Sequence, residues 1–206
     1  MYYLVKKAGI SVSAGRPREF DYDKALDAAL KVFWRKGCEG TSLPDLTKAM
    51  GINRPSLYAA FGNKEALFRK AIDRYVEGPA CHVREALEEP TARAVVERLW
   101  RGSIKLVTDP RNPRGCFLVQ SALACGEAGN AVRREMAKRR GRGEALLRER
   151  FERAVSEGDL PLHADPAALA GFIVTVSHGM AVQAAGGATT THLHQVAEMA
   201  LLAWPT

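Results

Sequence analysis

The sequence predicts an all-α chain of about nine helices: an N-terminal three-helix unit built round a helix-turn-helix, then a larger helical unit. Three observations predict it. Apolar residues recur at spacings of three and four along most of the chain, as one face of a helix requires. No stretch sustains the period-two alternation of a half-buried strand. The breaks between periodic segments are rich in glycine, proline and polar residues, as in "DPRNPRGC" (109–116), "EGDLP" (157–161) and "GGATT" (186–190).

Residues 1–19 carry Lys6, Lys7, Arg16 and Arg18 among small residues and Pro17, and read as a flexible basic arm. From Asp21 the pattern turns helical. Tyr22, Leu26, Ala29, Leu30 and Phe33 share one face, and Gly37 and Gly40 end the helix. Thr41 or Ser42 caps the next, short helix, with Asp45 favourable in its first turn; Leu43, Leu46 and Met50 are its apolar side and Gly51 stops it. Pro55 stands where a first helical turn tolerates it, and Leu57 and Phe61 face inward. A fourth helix restarts at Asn63, with Leu67, Phe68 and Ile72 as its core side. Composition shifts at Gly78–Pro79, which divides a unit at 20–76 from one at 80–206. Longer helices follow at roughly 82–88, 92–108, 116–125, 128–157, 166–185 and 189–203.

Residues 42–61 have the spacing of a helix-turn-helix, with Leu46, Met50, Ile52, Leu57 and Phe61 locking the two helices together. The second helix of such a motif enters the major groove, which is about 12 Å wide. Each polar residue then has an expected role. Thr41 and Ser42, with the amides behind them, suit a phosphate, as do Tyr58 and Lys64. Asn53, Arg54 and Ser56 suit base edges, Arg54 a guanine; Ala59 and Ala60 offer methyl contact. A plain helical hairpin with Tyr58 as a surface aromatic is the alternative.

The stretch "ALDAALKVFWRKGCEGTSLPDLTKAMGINRPSLYAAFGNKEALF" resembles the N-terminal domain of the tetracycline-repressor (TetR) family of transcription regulators, over residues 18–68. It departs at Thr47, where the family often has Ala, and at Ala59–Ala60, where it often has His or aromatics. "NPRGCFLV" and "DPAALAGFIVTVSHGMAV" are similar to one subgroup of the family. The resemblance implies a repressor: a palindromic double-stranded operator as partner, a C-terminal domain that binds a small-molecule inducer and dimerises, and release from DNA when the inducer binds.

Residues also point to a homodimer. The helix at 166–185 is rich in Ala and Gly, which lets helices approach closely, while Phe172, Ile173, Val176 and Met180 supply bulk. With 189–203 it offers two helices per chain for a four-helix interface. Burial inside one chain is the alternative. The segment is nearly long enough to span a bilayer, but Thr175, Ser177, His178 and Gln183 make that costly, so no membrane is expected.

Two sensors compete. Cys116 stands at a helix start beside Arg111 and Arg114, a setting that favours a reactive, redox-sensitive thiol. It equally suits a small residue that only packs. Cys125, nine residues on, lies too far along a straight helix to pair with it. The other sensor is an apolar pocket lined by Trp100, Ile104, Val107, Phe117, Gln120, Phe172, Val176, His178 and Gln183. His178, on an apolar helix face, reads more readily as a satisfied core histidine. His192 and His194, two apart, point to different faces and make no metal site. The basic run at 133–153 reads as a solvated face with Arg–Glu pairs.

Charge and cysteine usage fit this. Lys and Arg number 30 against 23 Asp and Glu, a net charge of +7 that permits a polyanion partner without requiring one. The four cysteines form no CxxC and no zinc spacing, and the N-terminus lacks the pattern of a signal peptide, so a cytoplasmic chain with free thiols is expected. No phosphate-cradling glycine loop, HExxH or G-x-S-x-G is present, so neither a cofactor nor catalysis is expected. A thiol-dependent enzyme using Cys116 and an architectural DNA binder are the alternatives.

Overall fold

A computed structural model describes residues 20–123 and 130–205; the basic arm and Cys125 lie outside them. Among the described residues there are ten helices, against about nine expected, and no strand. They are α1 (Tyr22–Lys36), α2 (Leu43–Met50), α3 (Arg54–Phe61), α4 (Lys64–Glu77), α5 (His82–Leu87), α6 (Ala92–Thr108), α7 (Phe117–Leu123), α8 (Asn130–Glu157), α9 (Pro166–Ala185) and α10 (Thr190–Leu201).

Local chemistry sets the first four. Asp21 caps α1, its carboxylate accepting from the Lys24 amide at 3.1 Å. Ser42 and Asp45 cap α2 reciprocally, each side chain accepting from the other's backbone amide. Asn53 and Asn63 cap α3 and α4, accepting from the Ser56 and Ala66 amides at 2.8 Å each. Gly51, at φ +66°, closes α2 in the left-handed conformation, which needs glycine and turns the chain sharply into α3. A bidentate Arg74–Asp27 pair, at 2.7 and 3.0 Å, ties α4 to α1.

Two apolar clusters form the interior. The first gathers α1 to α4 around Leu30, Phe33, Leu46, Leu57, Phe61, Phe68 and Ile72. It does not stop at the glycine-proline break: Leu106, Phe117 and Met136 belong to it as well. The second joins α5, α6, α8, α9 and α10 around Val96, Trp100, Ile104, Phe151, Ile173 and Leu193. Arg150, buried in α8, donates to the carbonyls of Glu89 and Pro90 at 3.0 and 3.1 Å and so fastens α8 to the turn before α6.

The helix α9 is the one helix among the described residues that is long and apolar enough to cross a membrane. It packs instead on α6, α7, α8 and α10. Only 28% of its most apolar window is buried within the chain, so much of this apolar helix stays accessible.

Candidate functional site

The second helix of the helix-turn-helix stands at the surface. Asn53, Arg54, Pro55, Tyr58 and Ala59 are exposed and Ser56 half-exposed, while Leu57 and Phe61 anchor the opposite face in the first cluster. An aromatic stack of Tyr22 on Phe61, ring centres 4.5 Å apart, holds the end of α3 against α1. Arg54 in the first turn therefore presents its guanidinium outward. The Asn53 side chain spends its oxygen on the cap and keeps its amide N–H₂ as a donor.

Of the residues expected at phosphates, Thr41 is turned inward and Lys64 has a partner within the N-terminal unit. Thr41 is 1% exposed and its hydroxyl donates to the Gly37 carbonyl at 2.6 Å, so this side chain faces inward and Ser42 alone is the exposed cap. Bonding to a carbonyl inside the turn satisfies a buried hydroxyl that would otherwise lose its water. Lys64, half-buried, donates to the Thr41 carbonyl at 3.1 Å and so braces that turn from α4.

A cavity of about 160 Å³ opens among α6, α7, α8 and α9, with His82 and Val83 of α5 and Tyr75 of α4 also in its lining. Leu99, Leu106, Val119, Leu147 and Val174 form apolar walls; Tyr75, His82, Ser103, Cys116, Arg140, Glu144, Ser177 and His178 supply polar atoms. His82 Nε2 and Ser103 Oγ share a hydrogen bond at 3.1 Å. Burial holds both His82 and His178 below the ordinary imidazole range, and the Arg140 charge adds to the effect on His178.

Of the residues expected to line a pocket, His178 and Val107 do so. The others stand elsewhere. Trp100 and Ile104 are core residues behind the wall, Trp100 reaching it only by donating to Ser177 Oγ at 3.0 Å. Gln120 donates to the Arg114 carbonyl at 2.8 Å. Phe172 is 40% exposed, and Val176 and Gln183 line an outer groove with Gly179, His192 and Val196. Phe117 packs away from the cavity into the first cluster, edge-on to Phe68 and Tyr75 at 5.5 Å each. The cavity face of α9 is Val174, Ser177, His178 and Ala181, a helical stripe one step round from the one carrying Phe172 and Val176.

Cys116 sits at the joint between the two clusters and packs against both. Its sulfur accepts from the Tyr75 hydroxyl at 3.3 Å. Burial, with Cys116 alongside, pushes the Tyr75 phenol well above its ordinary range, so it is a firm donor. Beside it Trp34 Nε1 donates to the Gly115 carbonyl at 3.1 Å, and Arg139 of α8 pairs with Asp73 of α4 at 2.7 Å. Gly115 has φ +85°, and a Cβ there would lie 2.6 Å from Gln120 Nε2 and 3.0 Å from the Ala185 side chain, so the close packing of this turn on α7 and the end of α9 needs glycine. Arg111, expected as a neighbouring cation for the thiol, is held by Asp109 through three bonds of 2.7 to 3.2 Å.

An apolar surface runs along α9 and α10. Phe172 and Val182 on α9, and Met199 (67% exposed) with Leu202 (78%) on and just beyond α10, lie open.

Comparison with known proteins agrees with this architecture. Residues 25–71 match the family described as bacterial regulatory proteins, tetR family, and residues 90–200 match the tetracyclin repressor-like C-terminal domain. The HTH-type transcriptional repressor ComR of Escherichia coli K12 is 34% identical over 198 residues, covering 95% of this chain and 94% of ComR. The HTH-type transcriptional repressor BdcR of the same organism is 40% identical over 87 residues, 41% of this chain and 44% of BdcR. A cysteine-substituted form of the TetR family regulator CifR, solved with 26-base-pair operator DNA, is 44% identical with a TM-score of 0.89, covering 93% of this chain and all of CifR. The chain belongs to the tetR family of bacterial regulatory proteins.

Proposed function

We propose that this chain is a homodimeric, sequence-specific transcriptional repressor that leaves its operator when a small molecule, an electrophile or an oxidant acts on the C-terminal half. Residues 20–76 are the DNA-reading head and 80–206 the sensing and dimerising body, working in the cytoplasm. The observation that carries this reading is the exposed first turn of α3, which carries Arg54, on a head whose last helix, α4, contributes Tyr75 to the lining of the cavity. Arg54, Asn53 and Ser56 read base edges, Pro55 and Ala59 allow close approach, and Ser42, Tyr58 and Lys64 hold phosphates. In this reading Thr41 acts through its backbone and the turn it stabilises. The open apolar faces of α9 and α10 meet their copies in a four-helix interface, giving two reading helices for a palindromic site.

Release follows from two states of the dimer that differ in the separation of the reading helices. An inducer must bind the spread state more tightly to shift the balance. Cys116 offers one lever, because adding bulk or charge at its sulfur breaks the bond to Tyr75 and pushes on α4. Filling the cavity offers the other.

The test is binding of the purified protein to the DNA upstream of its own gene, at fixed salt with excess random competitor, reduced and mildly oxidised. Tight binding that oxidation abolishes, and that survives oxidation in Cys116→Ser, supports thiol sensing. Binding indifferent to oxidation leaves the cavity as the sensor. Absence of selective binding in both states overturns the repressor reading.

A further inference from the structure

The cavity has largely apolar walls and three charged lining residues, Arg139, Arg140 and Glu144. At about 160 Å³ it is close to the roughly 150 Å³ in which a dry apolar site holds a benzene ring. It has room for one ring, or a branched chain of similar bulk, against Leu99, Leu106, Val119 and Leu147.

Of the three, Arg140 suits an anionic ligand. It is half-buried on the cavity wall, and its one hydrogen bond among the described residues runs from Nη1 to the Leu118 carbonyl at 3.3 Å. It forms no ion pair among the described residues. Its neighbour Arg139, by contrast, is spent on Asp73 and Glu135. A guanidinium carries five N–H donors in a planar fork that matches a carboxylate, so most of Arg140's capacity is open. The other charged wall residue without an ion pair there, Glu144, is exposed and keeps its water. Of the two, Arg140 weighs more on the His178 ring. A half-buried cation beside apolar space favours an anion whose body is apolar.

We propose that the cavity binds a compact monocarboxylate, with the carboxylate on the Arg140 guanidinium and a single ring or branched chain against the apolar walls. The inference rests on the reading of this cavity as the inducer site and names the class of inducer. It also supplies a route to the DNA. An anion on Arg140 competes with the Leu118 carbonyl, and Leu118 follows Phe117, whose ring sits in the core of the reading head. Drawing Arg140 toward the ligand loosens α7 where it enters that core.

The experiment titrates the full chain calorimetrically with benzoate against benzamide, and with the smaller pair pivalate against pivalamide, at pH 7 and constant ionic strength. Release of an operator fragment is followed in parallel. In at least one pair the carboxylate should bind about ten-fold or more tighter than its amide, as expected for charge-assisted bonds. Arg140→Gln should bring the two within about two-fold while leaving amide affinity unchanged, and Arg140→Lys should keep part of the preference. Equal binding of acid and amide in both pairs, no binding of either acid, or a preference that survives Arg140→Gln overturns the proposal. A preference that tracks Arg140 without any operator release keeps the ligand class and overturns the inducer role of the cavity. Release by neutral compounds alone does the reverse.

Discussion

The Tyr75 hydroxyl donates to the sulfur of Cys116 at 3.3 Å, joining the last helix of the head to the turn that opens α7. Each residue alone reads as ordinary, a buried aromatic and a free thiol. Together they are a polar bond between two apolar clusters, and what alters the sulfur alters the seat of α4.

That bond is measurable by a double-mutant cycle. Tyr75→Phe and Cys116→Ala, alone and combined, are compared by denaturant unfolding. Each single change is expected to cost about 1 kcal/mol, with a coupling of about 0.5–1.5 kcal/mol. Strict additivity would mean the contact contributes nothing.

Phe117 and Phe172 should behave oppositely. Phe117→Ala empties a ring site in the head's core and is expected to cost about 3–5 kcal/mol in the unfolding of the chain. Phe172→Ala, at an exposed position of α9, should leave protomer stability within about 1 kcal/mol and weaken dimerisation, read by sedimentation. Equal effects in unfolding would remove Phe172 from the dimer face.

On the reading helix, Arg54→Ala should weaken operator binding by about 1–3 kcal/mol and relax preference at one base pair. Lys64→Ala should weaken binding evenly across sequences and lower its salt dependence. Asn53→Ala carries a third signature: loss of the cap at 2.8 Å costs about 0.5–2 kcal/mol of head stability, visible without DNA. Wild-type affinity in both Arg54→Ala and Lys64→Ala at fixed salt would refute the contact assignment.

Stability should fall on mild acidification. Burial lowers the folded-state values of His82 and His178 below the ordinary 6.5. The unfolded chain then binds more protons, so stability is full above about pH 6.5 and declines as pH falls below it. The charges acting on these rings are Glu85 and Arg98 for His82, and Arg140 and Glu144 for His178. Between pH 7 and 5 the carboxylates are largely ionised in both states, which isolates the histidines. The drop in Tm across that interval should shrink in His82→Gln. An unchanged drop would assign it to other groups.

The head was legible because its signals are local. Ser42 and Asp45, Asn53 and Pro55, and Gly51 act within a turn of one another, so a linear reading recovers their geometry. Thr41 was misjudged because its hydroxyl turns back to Gly37, and nothing in the spacing distinguishes that from an exposed cap. The cavity was largely illegible. The sequence of α9 is apolar on every side, so periodicity cannot say whether Phe172 and Val176 or Val174 and His178 face inward. Arg140 was hidden in a basic run that reads as solvated, and only the fold shows it beside apolar space. Phe117 depends on contacts with Trp34, Phe68 and Tyr75, all more than 40 positions away, which no local rule reaches.

The sharing of Phe117, Leu106 and Met136 with the head's core bears on how such regulators can be recombined. A chimera cut at Gly78–Pro79 would strip three buried side chains from the transplanted head and orphan the Trp34 indole, whose acceptor is the Gly115 carbonyl. Swapping operator specificity between relatives therefore calls for a discontinuous graft, with the turn at 115–117 travelling alongside the first four helices. The boundary that matters for modular exchange runs through the packing, not along the chain.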